Sequence, residues 1–320
     1  MLSRVADSLY WMSRYLERAE HTARLVDANL ILMLDQPAAS AGQRWERLLA
    51  SLGIAPPADG APGARAITEA LTFDRSVSTS IVGALGAARD NARQVREQLS
   101  SEMWEHLNRL YLRVNRASID QIWSAEPHAF FRGVKEGAHL IQGVSDATMN
   151  HGEGWHFLQL GRFIERAGAT ATLIDVHFGA FEGTREELDG VGGYLDWVGF
   201  LKSKTAFEAY CQVYTADLRP DCIAEFLLLD PQFPHAVRFA AGRIQAALGE
   251  IAHATGARGS GQVERLAGRL RAMLDYAQID EIMTNGLHVY LAEIGSLCAQ
   301  IHTAVHRSYF APPLESVLAS

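Results

Sequence analysis

The sequence predicts an all-α protein, a helical bundle built from two tandem halves of related sequence. Three observations predict it. Apolar residues recur at alternating spacings of three and four along long segments, which lays a stripe down one face of an α-helix. A fourteen-residue segment returns 148 positions later with eight identities. Period-two alternation between turn signals, the mark of strands, is missing almost throughout.

The first helix runs through Val5, Leu9, Met12, Leu16, Ala19, Ala23, Val26, Leu30 and Met33. It should stop at Asp35–Pro37, because proline cannot continue the hydrogen-bond ladder. A long helix follows through Leu85, Ala88, Ala92, Val95, Leu99, Met103, Leu107, Leu110 and Val114, bent at Ser100 and Ser101. Its counterpart in the second half passes through Val237, Ala240, Ile244, Leu248 and Ile251. A last helix carries Ile282, Leu287, Leu291, Ile294, Leu297 and Ile301 and ends before Pro312 and Pro313. Glycine and proline place loops at 55–63, 182–193 and 255–261.

The repeat has three anchors in one order. Arg14–Asp27 (RYLERAEHTARLVD) matches Arg162–Asp175 (RFIERAGATATLID); Trp45–Ser51 matches Trp197–Ser203; Leu71–Asp74 matches Leu227–Asp230. Offsets that grow slowly, from 148 through 152 to 156, indicate an internal duplication. The halves are about 1–145 and 146–320 of a single domain of 320 residues. Two such halves are expected to pack about a pseudo-two-fold axis.

Composition narrows the function classes. Hydrophobic residues are 48% and charged residues 21%, which excludes wholesale disorder. The net charge of −8 leaves nucleic acid only a local patch, and no aromatic-basic platform supplies one. No apolar run approaches the ~20 residues that span a bilayer, and Arg4 and Asp7 interrupt any export signal. Cys211, Cys222 and Cys298 form neither a disulfide framework nor a metal motif. That pattern suits a reducing cytoplasm, and 26 arginines among 29 basic residues, with heavy alanine use, suit a GC-rich bacterial genome.

The candidate polar residues lie on the repeat. Glu17, His21 and Arg24 share one flank of the first apolar stripe, and Trp11, Arg18 and Thr22 the other. Arg14, Glu17 and Arg18 return as Arg162, Glu165 and Arg166. Charges repeated beside an apolar stripe predict partly buried ion pairs where the halves meet, since a guanidinium holds a carboxylate with two bonds. The functional alternative is a site for an anionic group. Arg89, Arg93 and Arg96 form a second stripe, which reads as a solvated salt-bridged face or as a docking strip for phosphate or carboxylate. Glu136/His139, Glu153/His156 and Glu250/His253 have the spacing of carboxylate–histidine metal sites, a mild excess over chance, and no metal site is expected from them. No Walker lysine loop, serine elbow or His-Glu-x-x-His motif occurs. No cofactor is expected.

Residues 1–11 (MLSRVADSLYW), the following RYLERAE of Arg14–Glu20, the second pair Glu165 and Arg166, and Ser101–Asn108 (SEMWEHLN) together resemble the alpha-E domain family of bacterial helical proteins. The resemblance covers nearly the whole chain. One departure is that Asp74–Ile81 lacks the proline of the family's usual turn, whereas the second half keeps Pro231 and Pro234. The family is commonly encoded beside, or fused to, circularly permuted ATP-grasp proteins, and often near transglutaminase-like proteins. ATP-grasp enzymes join carboxylates to amines through acyl phosphates. The resemblance therefore implies a helical accessory subunit of an amide- or peptide-bond-forming ligase, one that helps to bind a peptide or carboxylate and is not itself the enzyme. The alternatives are an enzyme with a Glu/Arg-lined cleft around Glu17, Arg18, Glu165 and Arg166, and a carboxylate–histidine metal bundle.

Overall fold

A computed structural model describes residues 1–35, 41–55, 63–179, 191–215, 217–256 and 261–311. Within them lie fifteen α-helices and no strand. The centres of the three predicted loops, and the helix stops at Pro37, Pro312 and Pro313, lie outside the described residues.

The first seven helices are α1 (Ser3–Asp35), α2 (Ala41–Ser51), α3 (Ala64–Phe73), α4 (Ile81–Gln94), α5 (Ser101–Arg116), α6 (Ile119–Ser124) and α7 (Pro127–Thr148). The remainder are α8 (Glu153–Gly179), α9 (Val191–Ser203), α10 (Phe207–Tyr214), α11 (Pro220–Leu229), α12 (Val237–Thr255), α13 (Gly261–Asp275), α14 (Ile279–Asn285) and α15 (Leu287–Val305). A π-turn, His306–Phe310, extends the last of them.

Two predicted helices are each divided. The stripe from Leu85 to Val114 belongs to α4 and α5, separated by a short 3-10 turn at Arg96–Gln98. Gly86 lies against Tyr111 and Arg89 bonds Asn108, so the chain reverses and the helices lie antiparallel. Ser100 caps α5 by accepting from the Met103 N–H, which fixes a new helix start inside a continuous apolar pattern. The last predicted helix breaks at Gly286, whose φ of 105° only glycine adopts without strain. Periodicity reports which face is buried and is blind to a turn that keeps that face inward.

The two sets of helices pack in the same order. α1 lies on α4 and α7, as α8 lies on α12 and α15; α4 lies on α5, as α12 lies on α13. Trp45 and Trp197 are both buried, and one hydrophobic core runs through both sets. α1 and α8 cross at its centre. A Cβ at Gly161 would stand 2.3 Å from the Tyr10 carbonyl oxygen and 2.4 Å from Ser13 Oγ, so glycine is what lets the backbones approach. Ser13 is the residue that the 148-residue offset aligns with Gly161. Among the described residues no helix is long and apolar enough to cross a membrane.

Candidate functional site

The crossing of α1 and α8 brings the two Glu–Arg pairs together, and each glutamate bonds the other pair's arginine. Arg166 grips Glu17 with two bonds, Nε to Oε1 at 2.5 Å and Nη2 to Oε2 at 2.8 Å. Arg18 Nε donates to Glu165 Oε1 at 2.6 Å, and Arg14 donates to Glu165 Oε2 at 2.8 Å from Nε. The equivalent of Arg14, Arg162, stands farther off, 3.9 Å from Glu17. The sequence placed Glu17 and Arg18 on opposite flanks of the stripe; both flanks of α1 meet α8 here.

Electrostatics favour the ionised forms. Burial pushes the Glu165 carboxyl up, but the Arg14 charge and the Arg18 bond outweigh it and hold it below the usual carboxylate range. Arg166 is lowered by burial and raised more strongly by Glu17. For Arg162 burial and the neighbouring Arg166 charge outweigh the pull of Glu17 and Glu20 and lower it to about 10.

The frame extends symmetrically to the backbone. Thr22 donates to the Thr79 carbonyl at 2.8 Å and Thr170 to the His235 carbonyl at 3.4 Å. The segments so held begin at Asp74 and Asp230. Asp74 accepts from the Ser76 N–H and Asp230 from the Gln232 and Phe233 N–H groups. The Asp-capped turn thus forms in the first half without the proline, because the carboxylate supplies the closure.

Beside the Glu17 pair lies a buried polar cluster. Arg24 and His139 both bond Glu20 Oε1, at 2.7 and 3.0 Å, and Gln142 donates to Glu20 Oε2 at 3.2 Å. Burial raises Glu20, but the His139 bond and the Arg24 charge hold it well below the usual range. Lys204 reaches the cluster from the turn after α9, with Nζ 3.2 Å from His21 Nδ1. Burial lowers Lys204 to about 7, with Arg166 and Arg24 opposing the pull of Glu17 and Glu20. Burial with the Lys204 charge holds His21 well below its usual value.

A cavity of about 480 Å³ opens between α1, α8 and α15, within the range of small-molecule sites. Arg14, Glu17, Arg18, Glu165, Arg166 and Lys204 all contribute to its wall. Gly168, Ala169 and Thr172 line it from α8, and Cys298 and His302 from α15. His302 Nδ1 meets the Tyr10 hydroxyl at 2.9 Å, and burial with Arg14 lowers its pKa to about 4. Burial pushes the Cys298 thiol up to about 12, which favours the protonated thiol at pH 7.

The second arginine stripe does not join this site. Arg89 bonds Asn108 and lies over the Tyr111 ring, and Arg96 caps the Leu99 carbonyl and lies 5.7 Å from the Trp104 centroid. Arg93 is exposed. The Glu-x-x-His pairs also diverge: His139 bonds Glu20, and Glu153 takes the Met1 amino group. Among the described residues no three His, Cys, Asp or Glu groups converge on a metal position.

Lys204 was missed as a candidate, yet the repeat carried its signal. It aligns with Leu52 and its neighbour Thr205 with Gly53. A lysine at an apolar repeat position is a buried charge. Both turns close alike, Gly53 N to Ala50 O at 2.9 Å and Thr205 N to Lys202 O at 3.0 Å, with φ of 69° and 51°. Glycine suits that φ and a β-branched residue is strained by it, so strain sits next to the buried lysine.

These features define a class: an all-α protein whose two central helices exchange Glu–Arg pairs. The chain belongs to the Alpha-E family, described as a predicted alpha-helical domain with a conserved ER motif, which matches residues 1–310. It is similar to uncharacterized proteins of Mycobacterium bovis and of two Mycobacterium tuberculosis strains, each 26% identical over 94% of this chain. The chain spans about a third of those curated relatives, 35% of each. No solved structure matches it.

Proposed function

We propose that the chain is a helical accessory subunit of a circularly permuted ATP-grasp ligase, holding a peptide or carboxylate substrate while the partner forms the acyl phosphate. The observation that carries this reading is the state of the cavity wall. Both its carboxylates are already held by guanidinium groups, so neither is poised as a general base. The wall thus presents cations to an acidic group, and neither carboxylate is free to serve as the base of an independent Glu/Arg enzyme. The greater length of the mycobacterial relatives fits a domain that works beside further protein. A cytoplasmic complex follows from the need for ATP, and a transglutaminase-like protein is a second candidate partner.

Co-purification with the ATP-grasp protein encoded nearest to this chain, followed by ATP consumption with and without it, tests the proposal. A stable complex whose turnover depends on this chain is the expected result. Absence of both complex and effect would move the function to an independent small-molecule site.

A further inference from the structure

The groups lining the cavity are unevenly paired. Arg166 uses Nε and Nη2 on Glu17 and Nη1 on the Pro234 carbonyl. Arg14 is likewise engaged by Glu165 and the Tyr10 hydroxyl. Among the described residues Arg18 bonds only through Nε, lying over the Tyr15 ring with its two terminal nitrogens uncommitted. Lys204 Nζ has one bond, to His21 Nδ1. With Lys204 as donor, the ring hydrogen of His21 sits on Nε2, and that atom is buried with no partner. Thr79 Oγ1 is likewise buried and unpartnered. The wall therefore carries two cationic groups with uncommitted hydrogens, Arg18 and Lys204, while both of its carboxylates are already held by guanidinium groups.

We propose that this cavity binds a carboxylate group, with Arg18 and Lys204 as its counter-charges. It names the ligand group and anchors for the accessory-subunit reading and rests on that reading for its biological use. A bound carboxylate would accept charge-assisted bonds from these uncommitted cationic donors. The charged groups facing Lys204 are Glu17, Glu20 and Arg24 of α1 and Arg166 of α8, with His21 and His235 beside them. Burial and Arg166 hold His235 well below its usual value, so it stays neutral at pH 7. Lys204, held near 7 by burial, gains a proton when an anion binds, because a nearby opposite charge favours the ammonium. Binding therefore takes up a proton above pH 7 and weakens as pH rises.

Calorimetric titration of the full chain with glutarate, and with glutaramide as its uncharged counterpart, tests this in buffers of differing ionisation enthalpy. Glutarate should bind at least about tenfold tighter than glutaramide, and about fivefold weaker at pH 8.5 than at pH 7. Lys204→Met should fold, since Leu52 fills the equivalent place, and should remove both the proton uptake and the pH dependence. Arg18→Gln should weaken glutarate at every pH and leave the dependence intact. Equal binding of the two compounds, no binding by folded protein at pH 6–7, or a pH dependence surviving in Lys204→Met would each overturn the proposal. Glutarate binding without a ligase complex would sink the accessory reading alone; a complex without glutarate binding would sink only the site.

Discussion

The two ends of the Glu–Arg exchange share a frame and differ in what surrounds it. At the Glu17 end, side-chain exposures are 2% for Arg166 and 5% for Glu17, and the next turn of α1 supplies Glu20, His21 and Arg24. At the Glu165 end the exposures are 14% for Arg14, 18% for Arg18 and 12% for Glu165. There the aligned positions of α8 are Gly168, Ala169 and Thr172. Large polar groups pack the first end; small ones on α8 widen the cavity that both ends line. Across the turns after α2 and α9 the asymmetry reverses, with Leu52 and Gly53 set against Lys204 and Thr205. A repeated ion pair can thus be held constant as a strut while the residues one turn away differentiate, large polar groups on α1 packing one end and small residues on α8 opening the cavity between the two.

The largest expected effect tests the buried end. Glu17→Gln leaves the Arg166 charge buried without its carboxylate and should cost about 3–5 kcal/mol in urea unfolding; a loss no greater than that at Glu165 would erase the comparison. Lys204→Met acts in the other direction. Replacing a buried charge by an apolar group of similar volume should stabilise by about 1–4 kcal/mol at pH 7. The sign follows from the titration: Lys204 is near 7 when folded and ~10.4 when unfolded. Between those values the unfolded chain binds more protons, so wild-type stability climbs with pH through that window. Melting curves from pH 6 to 10 should show a flatter profile for the variant, and a parallel profile would mean that Lys204 is solvated.

Glu165→Gln comes next, at about 1–3 kcal/mol, since its arginines border a solvent-accessible cavity. An unchanged melting curve with lost ligase output would instead assign Glu165 to substrate. Smallest is Thr205→Gly, expected to stabilise by about 1 kcal/mol through relief of the positive φ. A destabilised variant would show that the Thr205 side chain contributes more than its strain removes.

Much of the frame was legible in the sequence. The stripe of Val5–Met33 lies within α1, because an apolar period is a local property of the chain. The division of Leu85–Val114 was not legible, since Val95 and Leu99 stay buried through the turn and keep the pattern unbroken. The expectation of buried charge at Arg14, Glu17, Arg18 and their repeats also came from local pattern. Arg89 and Arg96 share a spacing with Arg93, yet the first two pack on aromatic rings that only the α4–α5 reversal brings near.

By itself the sequence determined the helical faces, the repeated Glu–Arg pairs and the family, because each depends on residues a few positions apart or on direct alignment. The tertiary structure alone decided which glutamate each arginine holds, that Lys204 meets His21 across 183 positions, and that a cavity lies where α8 carries small residues. Those outcomes depend on the close crossing of α1 and α8 at Gly161, and the distances they involve are set by packing between helices, which no local pattern records.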